Sequence, residues 1–239
     1  MKKGRIIITT CSLVFLLLVS CSAPEQIQKD NRVESLIKEV SETHLKKTIS
    51  DLVAFGTRYP HEKQLAVAKY LYDRLRAYNP ATQFHTYEYW GVKWKNVVTT
   101  ITGDTNPEQV VVVCAHMDSK SPKRLVYAPG ADDNGSGCAA VLELARILSN
   151  HSFNKTIRFI IFSREESGQN GSKAYLKSID RSKEKIIAAL NLDMIAYGKD
   201  ADSLHLVTRP KYRWLANKIY AISKAYGLRA TRVVKKGCY

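Results

Sequence analysis

Residues 110–118 read Val-Val-Val-Val-Cys-Ala-His-Met-Asp, a β-branched run that ends in two potential metal ligands. A continuous apolar run of this length is typical of a β-strand that is buried on both faces. Similar runs occur at 157–162 and 186–192, and helical patterns lie between the three. This alternation predicts an α/β domain in which helices flank a mostly parallel central sheet.

The rest of the chain adds further helices and strands to this pattern. Helical spacing of apolar residues predicts helices over 33–55 (two helices that break near Ser41), 61–78, 134–148, 172–179 and 210–226. The remaining predicted strands are 83–89, 94–102, 203–207 and 229–234, with 203–207 as a fourth buried strand. Ligands of parallel sheets bind beyond the carboxyl ends of the strands, so the residues that follow each strand are the candidates for function.

Residues with metal-binding side chains follow each of the three buried runs and begin the helix at residue 134. In chain order they are His116, Asp118, Asp132, Asp133, Glu165, Glu166 and Asp193. So many carboxylates at one edge of a sheet would repel each other, and divalent cations would remove that conflict. Nitrogen and oxygen ligands without thiolates favour zinc in a catalytic site that keeps one position open for water.

Taken together, these motifs resemble those of the secreted di-zinc aminopeptidases, which are related to the glutamate carboxypeptidases and the glutaminyl cyclases. The similarity runs from roughly Leu52 to the C-terminus. It implies a three-layer zinc-exopeptidase fold and an enzyme that removes N-terminal amino acids through attack by a metal-activated water. The implied cofactor is zinc, and the implied partner is a peptide with a free N-terminus.

The resemblance also implies a role for each residue at the strand ends. His116 and Asp193 would bind the first zinc, Glu166 the second, and Asp133 both. Glu165 matches the general base, a carboxylate that binds no metal and transfers the proton of the attacking water.

Two further aspartates are expected to support this site. Asp118 lies two residues after His116 and would orient the far nitrogen of its imidazole ring. Asp132 precedes Asp133, and the resemblance implies a cis peptide bond between these two residues.

The family has one more ligand, a His in a Ser-Asp-His type motif near the C-terminus, which this sequence lacks. Its last His is His205, which comes too early and has different neighbours. We therefore expect a chain truncated before its last strand and helix. We also expect one well-liganded zinc site, made of His116, Asp133 and Asp193, and weak or absent hydrolysis.

The N-terminal residues resemble a bacterial lipoprotein signal peptide. Three basic residues precede an apolar run over 6–19, and Cys21 follows this run closely. As a helix the run would span about 21 Å, which is shorter than the roughly 30 Å hydrocarbon core of a bilayer. We expect a signal peptide over 1–20, a tether over 21–31 and a peptidase domain over 32–239. Lipid on Cys21 would anchor the exported protein to the cell envelope, facing the periplasm or the cell surface.

Composition and charge exclude several other classes of protein. An apolar fraction of 45% excludes global disorder, and a single long apolar run excludes a multi-span membrane protein. Five cysteines are too few for a disulfide scaffold, although Cys114 and Cys138 could pair or remain two buried thiols. The net charge of +15 comes mainly from the two ends of the chain, and no recognition motif accompanies it, so we expect no nucleic-acid partner.

Two alternative functions remain open at this point. A glutaminyl-peptide cyclotransferase on the same scaffold would use one zinc, bound by His116, Asp133 and Glu166. The sequences at 133–137 and 192–194 resemble the peptidases more closely. The non-enzymatic alternative is an inactive, lipid-anchored fragment or binding module.

Overall fold

The computed structural model describes residues 27–197 and 203–235. The predicted signal peptide, the lipidation site Cys21 and most of the tether lie outside these residues. Residues 27–30 of the tether have no regular secondary structure, and the first helix begins at Asn31. Within the described ranges, no helix combines the length and apolar character that spanning a bilayer requires.

The helices and strands match the predicted elements, most of them with shifted ends. The helices are α1 (Asn31–Lys38), α2 (Glu42–Val53), α3 (His61–Tyr78), α4 (Gly137–Leu148), α5 (Asn170–Ser178) and α6 (Arg213–Ala225). The strands are β1 (Gln83–Tyr89), β2 (Val92–Ile101), β3 (Asn106–His116), β4 (Lys155–Phe162), β5 (Lys185–Asn191), β6 (Ser203–Thr208) and β7 (Arg229–Val234). The predicted break near Ser41 is present because its side chain caps α2, accepting a hydrogen bond from the backbone N–H of His44.

Five strands form the central sheet in the order β1-β2-β4-β3-β5. β3 pairs in parallel with β4 and β5, whereas β1, β2 and β4 pair antiparallel. The two-residue turn Trp90-Gly91 joins β1 to β2 with φ angles of 52° and 70°, the backbone of a tight hairpin turn. The α/β class is confirmed, and the parallel part of the sheet is β4-β3-β5.

β3 is buried on both faces of this sheet, as its sequence predicts. Val113 and Ala115 pack into one hydrophobic cluster with residues of α2, α3 and α4. Val110, Val112 and Cys114 point to the opposite face and pack with Tyr175 of α5. Apolar side chains are therefore shielded from water on both faces of β3, which explains why the run does not alternate with polar residues.

The burial predicted for β5 and β6 was wrong. Among the described strands, β5 pairs with β3 alone, and its side chains are half-buried or exposed. β6 pairs with β7 in a separate two-stranded parallel sheet, where Leu204 and Val207 are 40% and 49% exposed. An apolar run favours a strand, but its burial depends on whether other elements cover it.

The parallel strands β3, β4 and β5 all end at one edge of the sheet, which we call the carboxyl edge. Because β2 runs antiparallel to β4, the first residues of β2 and the turn before it lie at this edge too. The strand-end residues singled out by the sequence are therefore brought together here.

Candidate metal centre

The carboxyl edge holds a cluster of three potential metal ligands. His116 ends β3 and is 2% exposed. Its Nε2 lies 3.3 Å from Oδ1 of Asp133 and 3.5 Å from Oδ1 of Asp193. One ligand atom from each of the three residues lies within 4.8 Å of the others. Two ligands bound tetrahedrally at about 2.1 Å from one zinc ion would lie about 3.4 Å apart, so the spacing fits zinc.

The electrostatics of this cluster favour a cation. Burial opposes the charged form of His116, but hydrogen bonds to Asp118, Asp133 and Asp193 raise the pKa of its imidazole well above the ordinary value. The hydrogen bond to His116 lowers the pKa of Asp133. A divalent cation would take the place of the imidazole proton between these carboxylates, with neutral His116 as a ligand.

Asp118 is fully buried and positions the loop that follows β4. Its two carboxylate oxygens accept hydrogen bonds from the backbone N–H groups of Glu165 and Glu166, each at 3.0 Å. The Nδ1 of His116 lies 3.1 Å from the backbone carbonyl of Asp118 and 3.6 Å from its carboxylate. The predicted contact with the imidazole is thus made chiefly by the backbone of Asp118, and no sequence pattern indicates the link to Glu165.

Glu165 and Glu166 follow the end of β4 and lie close to the three-residue cluster. Burial raises the pKa of Glu165, an effect that the charge of His116 opposes and that of Asp118 supports. A carboxyl group with a raised pKa is better matched to proton transfer near neutral pH. Burial and the charge of Asp133 raise the pKa of Glu166.

Glu166 differs from the three clustered residues in its neighbours. Its Oε2 lies 3.5 Å from the ammonium group of Lys120. Within the described ranges, the group of closely spaced ligand atoms contains His116, Asp133 and Asp193 and does not include Glu166. A lysine cation therefore stands beside the residue that the sequence assigns to a second metal.

Asp132 supports the segment that follows Asp193. Its Oδ1 accepts a hydrogen bond from the backbone N–H of Ala196 at 2.9 Å. One helical turn on, the hydroxyl of Ser136 accepts a bond from the N–H of Ile195 at 3.1 Å. The irregular turn 131–136 therefore holds the chain just beyond Asp193.

The cis peptide bond lies one residue later than predicted, between Asp133 and Asn134. The Asn134 side chain accepts from the N–H of Gly137 and donates to the carbonyl of Leu192, both at 2.9 Å. A Cβ atom at Gly137 would collide with that same Leu192 carbonyl, so glycine permits α4 to approach the end of β5 this closely. Asp133 and Asp193 are brought together by this contact between the two elements.

Arg58 is a fully buried arginine that sequence reasoning placed in a loop and did not connect to the site. Its guanidinium donates to the backbone carbonyls of Leu52, Met117, Pro129 and Gly130. Met117 lies between His116 and Asp118, and Gly130 precedes the turn that carries Asp133. One side chain therefore fixes both segments that supply ligands from the β3–α4 connection.

The cysteines near the site are both free thiols. Cys138 donates to the backbone carbonyl of His116 at 3.1 Å, and Cys114 lies 3.6 Å from Oδ1 of Asn191. Burial raises the pKa of each thiol to about 12, so neither is a reactive thiolate near neutral pH. Of the two alternatives left open by the sequence, the structure shows the buried thiols.

Solved structures of an aminopeptidase and of a glutaminyl cyclase share this fold. LapA aminopeptidase of Legionella pneumophila superposes with a TM-score of 0.74 at 22% identity, covering 89% of this chain and 58% of LapA. Glutaminyl cyclase of Tannerella forsythia gives a TM-score of 0.64 at 20% identity, covering 82% of this chain and 79% of the cyclase. Identities at this level establish the common architecture and leave the reaction open.

Similar protein sequences and a family model indicate which family the chain resembles. Leucine aminopeptidase 1 of Neurospora crassa is 31% identical over 192 residues, which cover 73% of this chain and 46% of that protein. The chain spans about half the length of the curated relatives it matches. Residues 96–237, well over half of the sequence, match the model of peptidase family M28. The chain therefore belongs to peptidase family M28.

Proposed function

We propose that this protein is a zinc-dependent aminopeptidase that releases N-terminal amino acids from peptides. The observation that carries this proposal is the cluster of His116, Asp133 and Asp193 with Glu165 beside it at the carboxyl edge. Relatives named leucine aminopeptidase support the same reaction.

The residues of the site divide the chemistry between them. When bound, zinc supplies a Lewis acid that polarises a peptide carbonyl and lowers the pKa of water towards about 7. Glu165 takes the proton of the attacking water and later delivers it to the amine of the leaving peptide. Asp118 accepts a hydrogen bond from the backbone N–H of Glu165, which holds the base near the metal ligands.

We also propose that a second zinc binds much more weakly than the first. Glu166 is paired with Lys120, and it would share only Asp133 with the first site. Weak binding of the second cation would leave hydrolysis slow compared with an enzyme that holds two. We therefore expect a measurable but low rate of peptide hydrolysis.

The test is zinc-restored release of leucine from the peptide Leu-Gly-Gly after treatment with EDTA, measured by mass spectrometry. Glu165→Gln should lower the rate by about 10²- to 10⁴-fold without changing zinc content, since the residue acts in proton transfer. Glu34→Gln, on the surface of α1, should change neither. Failure of zinc to restore release, or ring closure of a Gln-Gly-Gly peptide instead, would overturn the proposal.

For the location of the protein, we propose export and anchoring to the cell envelope through lipid on Cys21. The support is the basic start, the apolar run over 6–19 and the cysteine that follows it. Cys21→Ser should move the protein from the membrane fraction to the soluble fraction of the bacterial host. An unchanged distribution, or an unmodified Cys21 by mass spectrometry of the mature N-terminus, would contradict the anchor.

A further inference from the structure

Arg164, directly before the proposed base Glu165, lies close to the rings of Tyr89 and Trp94, and we call these three residues the clamp. The guanidinium carbon of Arg164 is 4.7 Å from the ring centre of Tyr89 and 4.4 Å from that of Trp94. Both distances are within the range of cation–π attraction. Trp94 is 5% exposed, so one wall of this clamp is part of the protein interior. The two rings therefore restrict the position of the guanidinium before any ligand binds.

Among the described residues, two hydrogen-bond donors of the clamp have no acceptor. In the described part of the chain, three buried side-chain polar atoms lack a hydrogen-bond partner, and two are Nε of Arg164 and Nε1 of Trp94. No ion pair to Arg164 occurs among the described residues, although its positive charge is half-buried. Buried donors are normally satisfied, and a half-buried guanidinium favours a carboxylate partner.

The fold places this clamp on the same edge as the metal centre. Val97 of β2 pairs with Ile161 of β4, and this register continued by three residues sets Trp94 level with Arg164. β2 and β3 lie on either side of β4. Two strand spacings, about 10 Å, therefore separate Trp94 of the clamp from the strand that ends in His116. An extended peptide covers that distance in about three residues.

The surface beside the clamp also suits a peptide. Trp90 occupies the hairpin turn with 88% of its surface exposed, and its ring stacks on Tyr89 with centroids 5.2 Å apart. Aromatic rings at such a position offer an apolar face to a bound chain while Arg164 offers the charge.

We propose that Arg164 is a specificity-determining residue that binds the C-terminal carboxylate of short peptides, three to four residues long. This proposal rests on the proposed aminopeptidase function, because it places the scissile bond at the metal centre and the carboxylate at the clamp. The enzyme would then favour tripeptides and tetrapeptides over long chains and over peptides whose C-terminus is blocked.

A binding experiment tests the clamp without using catalysis. Triglycine and triglycine amide are titrated against the full-length protein after EDTA treatment, with tryptophan fluorescence as the readout because Trp94 contacts Arg164. The free acid should bind about tenfold more tightly than the amide, the lower range for a hydrogen bond to a charged group. Arg164→Met should reduce this ratio to about one, and Arg164→Lys should give an intermediate ratio. Equal binding of acid and amide by the unaltered protein would overturn the proposal.

A kinetic experiment then separates this proposal from the proposed function. Cleavage of leucine p-nitroanilide, which has no carboxylate, tests the aminopeptidase activity alone. The ratio of kcat/KM for Leu-Gly-Gly to that for its amide tests the clamp, and it should fall about tenfold in Arg164→Met. The matched control is Arg232→Met, since the guanidinium of Arg232 on β7 also lies over a tyrosine ring, 4.3 Å from the centre of Tyr220 on α6. A proportional loss for both substrates in Arg164→Met would show a structural role and overturn the proposal.

Discussion

The two sides of the metal centre are built differently. His116 ends β3, which has a neighbouring strand on both sides, and is 2% exposed, with Asp118 and Arg58 fully buried around it. Asp193 follows β5, which has one neighbour among the described strands, and its side chain is 38% exposed. The His116 side is fixed by buried hydrogen bonds before a metal binds, whereas the Asp193 side is held by a few contacts to the turn 131–136.

This difference indicates how the site would respond to its metal. A buried, fully bonded ligand costs little reorganisation when it binds a cation. An exposed ligand on a one-sided strand gains order from the cation itself, because segments with few buried contacts open at low free energy.

Arg58→Met tests whether the His116 side depends on the buried guanidinium. The free energy of unfolding should fall by about 4 kcal/mol, because several buried carbonyls would each lose a partner at about 1–3 kcal/mol. Chemical denaturation of the metal-free protein measures this loss. Arg158→Met is the matched control: Arg158 is half-buried, pairs with Glu184 and should cost less. Equal losses of unfolding free energy in the two variants would contradict a special role of Arg58 in holding the His116 side.

Replacing one ligand on each side compares the two sides directly. His116→Ala should weaken zinc binding by more than about 100-fold, since loss of an outer partner alone costs up to that amount. Asp193→Asn should cost less, because its amide oxygen can still bind the metal and its position can adjust. Competition with a chromogenic chelator measures both affinities. Similar losses would show that the two sides contribute alike.

Asp118→Asn probes the link between the ligands and the base. Zinc affinity should fall by about 10- to 100-fold, the usual effect of changing a partner of a metal ligand. The rate should fall further than the affinity explains, since the carboxylate also accepts from the N–H of Glu165. Asp73→Asn, an exposed residue paired with Lys69, should alter neither quantity. A rate that follows zinc occupancy alone would contradict the link to Glu165.

Amide hydrogen exchange has the smallest expected effect, but it reports on individual segments of the chain. Amides of β3 should exchange more slowly than those of β5, because β3 has a hydrogen-bonded neighbour on both sides. Zinc should slow exchange at residues 192–197 more than at the end of β3. Mass spectrometry of exchanged peptides measures both, and equal protection of the two strands would remove the contrast.

The structural features that the sequence predicted depend on local patterns. The run 110–115 is long and β-branched enough to specify a strand buried on both faces, and His116 follows it directly. Helix α3 was predicted with the bounds that the structure shows, because its apolar face repeats at helical spacing. The fold class follows from such elements in alternation, and the family match supports it.

The parts that the sequence missed depend on contacts between distant segments. Arg58 reaches carbonyls about sixty to seventy residues away, and no local pattern marks an arginine as buried. The carboxylate of Asp118 meets Glu165 only once β3 and β4 are paired. β5 has an apolar run like that of β3, but the pattern carries no information about whether a second neighbour covers it.

The most direct test of the three-ligand zinc centre is the number of zinc ions that the full-length protein holds after equilibration with a competing chelator. Elemental analysis measures this number per chain. The three-ligand centre predicts one tightly held zinc, which is absent from His116→Ala. No retained zinc, two zinc ions held equally tightly, or an unchanged zinc content in His116→Ala would contradict it.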